Sequence, residues 1–332
     1  VRIARKLQRV LCAAGAVLGA GGAFTTAFTR LTDRRHQPRG RFVEVEGVRL
    51  HVVDLGASDR DVYTDDASAS RPQTVVLIHG MKGSAAEFTF SIADRLAKRY
   101  RVLVLDRPGY GFSDPAPEHG GAPRVQARLL RGALRRLDVE RPVLVGHSLG
   151  AALVMAYAVE YPGEPGAAVT LSGHTLPFDG PIGGFSRLAD IPFVGPLLVR
   201  TLVTPLGLLV GPRILRQAIR PQQVPAAYVR AAVRAAIRPQ AFFAGAADAR
   251  DCDADMRRFY AGYPGVETPF VIVAAGCDRH ISPNESLSLH RLLPHSELRE
   301  IDGSGHMPFF ADPGAVIDAV DRAAELARGR VT

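Results

Sequence analysis

A mostly parallel sheet with helices on both faces, interrupted late in the chain by a helical insertion, is the α/β architecture that this sequence predicts. Three observations lead there. Short apolar and β-branched runs at Thr74–Ile78, Arg101–Leu105, Ala167–Leu171 and Phe270–Ala275 show no polar alternation, as strands buried on both faces require. Helical segments alternate with these runs at the spacing of βα units. Between residues 177 and 265 the alternation stops, and afterwards it resumes. Four regions follow: an N-terminal segment (1–40), a first core part (41–176), a helical cap (177–265) and a second core part (266–332).

Composition narrows the function classes. A chain of 332 residues, 47% hydrophobic, can build a large core with a subsidiary lid. The formal charge is +8, but it is concentrated. Arg2, Arg5, Lys6, Arg9, Arg30, Arg34, Arg35 and Arg39 face only Asp33 in residues 1–40, so the rest of the chain is close to neutral. That distribution suits anionic lipid headgroups. No stripe of Lys interleaved with aromatics marks the body, which argues against nucleic acid as a partner. Cys12, Cys252 and Cys277 are far apart and imply neither a metal-ligand set nor a disulfide framework.

Residues 10–28 carry no charge and follow the basic VRIARKLQR. As a helix they would cover about 28 Å, just enough for a hydrocarbon core. Three readings compete: a signal anchor or single span, a cleaved secretory signal with Gly21-Gly22-Ala23 as its small-residue site, or an amphipathic helix at a membrane surface or packed on protein. The first two would make the protein membrane-associated or secreted. Four basic residues on each side leave orientation open.

Residues 42–46 and 49–54 alternate around Glu46-Gly47, a hairpin signal. The acidic stretch 56–72, with Asp59, Asp61, Asp65 and Asp66, reads as a solvated loop rather than a metal site. A helix over 85–98 follows the strand at Thr74–Ile78, and another over 125–137 follows Arg101–Leu105. In the insertion, residues 191–211 are almost wholly apolar, and Pro192, Pro196 and Pro205 predict a break into short helical pieces. Those prolines argue against a second span. Arg-studded amphipathic helices follow at 213–238. A helix at 283–293, a last strand at 297–301 and a closing helix at 313–326 complete the chain.

Chemistry concentrates at residues 142–160, PVLVGHSLGAALVMAYAVE. A buried strand turns sharply into a helix at Ser148, and Gly146 and Gly150 permit the close passage of helix against strand. The turn sets Ser148 at a helix N-terminus, where backbone N–H groups face an anion. A serine hydroxyl needs a base, and the base needs a carboxylate to fix its tautomer. His306, in a glycine-rich loop after the last strand, and Asp278, at the end of the strand before, supply both in the order such a sheet requires. Asp179 is the rival acid. His280 would need its loop to fold back, and His79 reads as a residue that shapes its loop by hydrogen bonding. Two backbone donors must hold the tetrahedral oxyanion: the N–H of Leu149 and, from the loop after His79-Gly80, that of Met81.

The segments HGMKGS, DRPGYGFSDP, GHSLG, GCDRHISP and GSGHMPFF resemble the motifs of the α/β-hydrolase superfamily, in its lid-bearing group of esterases, lipases and carbon–carbon bond hydrolases. The resemblance covers residues 41–328. It implies the α/β-hydrolase fold, Ser148 as nucleophile, Asp278 as acid, His306 as base, Met81 and Leu149 as oxyanion donors, and neither metal nor organic cofactor. Ser148 stands where dehalogenases and epoxide hydrolases of the superfamily carry Asp, and the chain has no Trp to bind halide. The expected activity is hydrolysis of a carboxylic ester with an apolar acyl chain, of the esterase or monoglyceride-lipase type, through an acyl-enzyme. The expected partners are therefore a small ester or lipid-like substrate and, through the N-terminal segment, a membrane. Alternatives sharing the constellation are hydrolysis of a carbon–carbon bond in a vinylogous diketone and cofactor-free haloperoxidase or perhydrolase chemistry. A non-catalytic ligand-binding protein on the same fold is the alternative outside enzymes.

Overall fold

The fold is seen in a computed structural model that describes residues 2–35, 37–56, 72–178, 180 and 184–329. Asp59, Asp61, Asp65 and Asp66 of the acidic stretch, and the rival acid Asp179, lie outside the described residues. The strands are Arg41–Val45 (β1), Val48–Leu55 (β2), Thr74–Ile78 (β3), Arg101–Leu105 (β4), Val143–His147 (β5), Ala167–Leu171 (β6), Phe270–Ala275 (β7) and Ser296–Ile301 (β8). They form one sheet in the order β1-β2-β4-β3-β5-β6-β7-β8. The β1–β2 and β2–β4 pairs are antiparallel and all the others parallel.

The apolar runs form central strands because both of their faces are covered. In β3, Val76 and Ile78 enter a core with the helices Pro123–Arg136 and Leu149–Glu160. Val75 and Leu77 enter the opposite core, with the helix Pro313–Gly329. Each such side chain, fully buried, contributes about 1.5–3 kcal/mol. The hairpin joining β1 to β2 turns at Glu46 and Gly47, both with positive φ (52° and 78°), the geometry that matches strand twist.

Two elements differ from expectation. The helix expected over 85–98 is two short helices, Ala86–Thr89 and Ala93–Leu96. The Ser91 hydroxyl donates to the Glu87 carbonyl at 2.6 Å, competing with the backbone ladder where the helix stops. In the cap, the prolines do not cut residues 194–218 into separate pieces. Helix Val194–Leu198 passes through a π turn at Val199–Val203 into helix Thr204–Ala218. A wider turn immediately before Pro205 accommodates the missing N–H and the ring that would clash in a regular helix.

The cap continues with Ala226–Ala236 and Pro239–Phe259. The last of these returns to the main body, with Cys252, Met256 and Phe259 buried in the core that also holds Leu149 and Leu153. The N-terminal segment is one helix, Arg2–Arg35. It crosses the cap at Gly21, where a Cβ would stand 2.2 Å from the Thr201 carbonyl oxygen. Among the described residues, two helices are long and apolar enough to cross a membrane, Gln8–Arg35 and Val194–Ala218.

Candidate active site

The parallel strands end on one side of the sheet, and the turns there assemble the site. Ser148 adopts φ 50° and ψ −120° between β5 and the helix Leu149–Glu160. Such a conformation is costly for a residue with a Cβ and persists only where neighbours impose it. Here the Ser148 N–H donates to the Leu171 carbonyl and its carbonyl accepts from the His174 N–H, each at 3.0 Å. Glycine is required on both sides. A Cβ at 146 would lie 2.5 Å from the Gly150 carbonyl oxygen, and one at 150 would lie 2.4 Å from that of Ile78.

His306 reaches this serine from the loop after β8, with Nε2 3.0 Å from Ser148 Oγ. Its Nδ1 lies 2.8 Å from Asp278 Oδ2. An ionised carboxylate only accepts, so Nδ1 carries the proton and Nε2 is free to accept from the hydroxyl. Asp278 is oriented by its other oxygen, which accepts the N–H groups of His280 at 2.8 Å and Ile281 at 3.1 Å. Burial alone would raise the Asp278 carboxyl, but the His306 hydrogen bond and charge outweigh it and hold the group below its ordinary value. Burial likewise lowers His306, against the pull of Asp278, so the ring is a neutral base near pH 7.

Met81 and Leu149 line the same cavity as Ser148. Their backbone N–H groups have no acceptor among the described residues. The turn bearing Met81 passes so near Ser148 that a Cβ on Gly80 would come within 2.9 Å of the serine Cβ. His79 holds that turn: Nδ1 donates to the Gly80 carbonyl at 2.7 Å, and Nε2 accepts the Arg107 N–H at 2.9 Å. His280 instead bonds the Ala218 carbonyl of the cap at 2.8 Å and makes no bond to Ser148.

Beneath the site lie groups that sequence reasoning missed. Glu87, buried, bonds His147 Nδ1 at 2.8 Å, while His147 Nε2 donates to the His306 carbonyl at 2.8 Å. Burial opposes charge on both, yet their mutual attraction raises His147 and lowers Glu87, so the two form an ion pair supporting the base. Glu87 falls within the helix expected over 85–98, and its only signal in the sequence is an acid set among Ala and Phe. Arg107 and Tyr110, on the turn after β4, both bond Asp248 of the cap, at 2.8 and 2.6 Å. That buried cluster ties the cap to the site.

The cavity over Ser148 has a volume of about 1000 Å³, with Leu149, Phe185, Ile214, Tyr228 and Val233 among its walls. Besides the Ser148, Asp278 and His306 group, polar side chains interrupt this lining, among them Lys82, His174, Arg279, Ser282 and Glu285. Lys82 Nζ lies 5.7 Å from the centre of the Phe242 ring, and burial lowers its pKa. Neither ring nitrogen of His174 has a hydrogen-bond partner among the described residues, although Nδ1 lies 3.4 Å from Glu285.

The profile of the alpha/beta hydrolase family matches residues 75–319. A 2-hydroxy-6-oxononadienedioate/2-hydroxy-6-oxononatrienedioate hydrolase of Cupriavidus pinatubonensis is 33% identical over 157 residues, covering 46% of this chain and 52% of that protein. The protein of the same name from Escherichia coli K12 is 31% identical over 162 residues, 47% of this chain and 49% of its own. The match thus spans about half the length of these curated relatives. Among solved structures, a membrane phospholipase A described as a novel bacterial virulence factor superposes with a TM-score of 0.65 at 21% identity, over 98% of this chain and 99% of that one. A mutant of the meta-cleavage product hydrolase CumD gives a TM-score of 0.61 at 20% identity, over 89% and 100%. Likeness at these identities is likeness of fold. With the family profile covering most of the chain, this protein belongs to the alpha/beta hydrolase family and carries a helical cap.

Proposed function

We propose that the chain is a serine hydrolase that cleaves a carboxylic ester with an apolar acyl chain. The observation that carries this reading is His306, held between Asp278 and Ser148 at the floor of a mainly apolar cavity. His306 Nε2 takes the Ser148 proton as Oγ attacks the ester carbonyl. The N–H groups of Met81 and Leu149 receive the oxyanion. Collapse breaks the C–O bond, His306 passes its proton to the leaving alkoxide, and an acyl-enzyme remains. His306 then deprotonates a water that attacks this ester, returning Ser148 and releasing the acid.

A second reading, cleavage of a carbon–carbon bond in a vinylogous diketone, has its own support. The curated relatives are dienedioate hydrolases by name, and they weigh toward this reading more than toward the ester. Lys82 and Arg279 in the cavity wall are cations that a carboxylated substrate would meet. The apolar side chains, which make up the larger part of the wall, favour the ester. Initial rates on p-nitrophenyl esters of graded chain length, beside a carboxylated dienoic diketone, separate the two. The ester reading expects kcat/KM to climb with acyl length and to exceed that for the diketone; the reverse ranking would overturn it. We also infer that the N-terminal helix contacts a membrane, supported by its uncharged stretch between two basic ends.

A further inference from the structure

Apart from Phe42 and Phe90, every large apolar side chain exposed among the described residues lies on the N-terminal helix or between Phe178 and Ile214 of the cap. Phe193 is 93% exposed and Leu209 73%. The two regions pack against each other. The N-terminal helix meets the cap at Gly21 and Thr201, Phe28 packs on Val229, Val233 and Ile237, and Arg238 pairs with Asp33 at 2.8 Å. An apolar face of this extent marks a place where something other than water covers it.

Charge identifies what covers it. Residues 191–219 contain no acid, and Arg200, Arg213 and Arg216 stand exposed among them. The helix Arg2–Arg35 has Asp33 as its single acid, already paired with Arg238. Asp190, exposed beside Ile191, is neutralised by Arg250 at 3.0 Å, so the apolar surface has its unbalanced charge in cations, which fits an anionic bilayer. Depth follows from where the helix touches the cap. The close-packed contacts at Gly21 and Phe28 lie inside the uncharged stretch, so an upright span would drag the cap into the hydrocarbon beside them. Lying along the interface satisfies both elements. Ile214, 61% exposed on this face, also walls the Ser148 cavity.

We propose that the N-terminal helix and the outer face of Val194–Ala218 dock together, in plane, on an anionic lipid bilayer, and that substrate enters the Ser148 cavity from the lipid side past Ile214. The docking stands on the surface alone; the entry route rests on the serine-hydrolase reading and makes the substrate an amphiphile.

The test is flotation of the full chain with vesicles of phosphatidylcholine, with and without phosphatidylglycerol, for the parent and the double variant Phe193→Glu, Leu209→Glu. Both side chains point into solvent and neither lines the cavity, so the variant should fold. Expected are preferential binding to the anionic vesicles and about a tenfold or greater loss in the double variant. The rate on a soluble short-chain ester should stay within about twofold. A double variant that floats like the parent would overturn the docking. So would a lipid-free dimer in sedimentation that the two changes dissolve, because the face would then seat a second copy. If neither protein cleaves the soluble ester, the Ser148 mechanism fails, while flotation still decides the docking.

Discussion

At the sheet edge, side chains that matter are gripped from more than one side. Asp278 receives three hydrogen bonds, the peptide groups flanking Ser148 are anchored at the end of β6 and at His174 just beyond it, and the carbonyl of His306 rests on the His147–Glu87 pair. The cap opposite is built otherwise, with Phe193, Leu209 and Ile214 open to solvent and a π turn inside its longest apolar helix. On the proposed function, the difference separates two tasks. Atoms that stabilise a developing charge must be in place beforehand, because reorganising them during the reaction raises the barrier. Surfaces that admit an apolar chain need complementarity more than fixed hydrogen bonds.

The largest effect that can break this comparison is loss of the proposed nucleophile or base. Ser148→Ala and His306→Ala should each lower kcat by roughly 10⁴–10⁶-fold, with the fold intact by circular dichroism. Next comes a place where the cap is anchored as firmly as the edge. Arg107→Met strips the buried Asp248 of its cation, and urea denaturation should report a loss of about 3–5 kcal/mol. Smaller again is Gly80→Ala, which sets a methyl against Ser148 and His147. Steady-state kinetics should show kcat down about 10–100-fold with little change in KM. The pH profile sharpens the electrostatic side. Only neutral His306 can accept the serine proton, and burial lowers its pKa, so kcat/KM should rise with pH through a limb below the ordinary imidazole value of 6.5. A limb above that value would contradict the burial argument. Smallest is Leu209→Glu, exposed on the cap, whose unfolding free energy should change by less than about 0.5 kcal/mol.

Much of the scaffold was legible because its strands are buried on both faces. Val75, Val76, Leu77 and Ile78 must all be apolar when alternate residues enter two different cores. The Ser148 turn was legible for a related reason: Gly146 and Gly150 are dictated by backbone oxygens about 2.5 Å from where their Cβ atoms would be. What stayed hidden depends on tertiary pairing. Nothing local shows that Glu87 turns inward to meet His147, or that Asp248 of the cap closes on Arg107 and Tyr110. The break at Ser91 depends on a hydroxyl competing with the backbone, which periodicity does not register. The passage of the cap helix through Pro205 needed a π turn, a device that proline spacing alone argues against.

The most direct measurement is intact-mass and peptide-level mass spectrometry after brief exposure to a fluorophosphonate. Activation of Ser148 by His306 predicts one adduct per chain, on Ser148, absent from Ser148→Ala and formed far more slowly in His306→Ala. An adduct elsewhere, or one formed at the parent rate without His306, would contradict it.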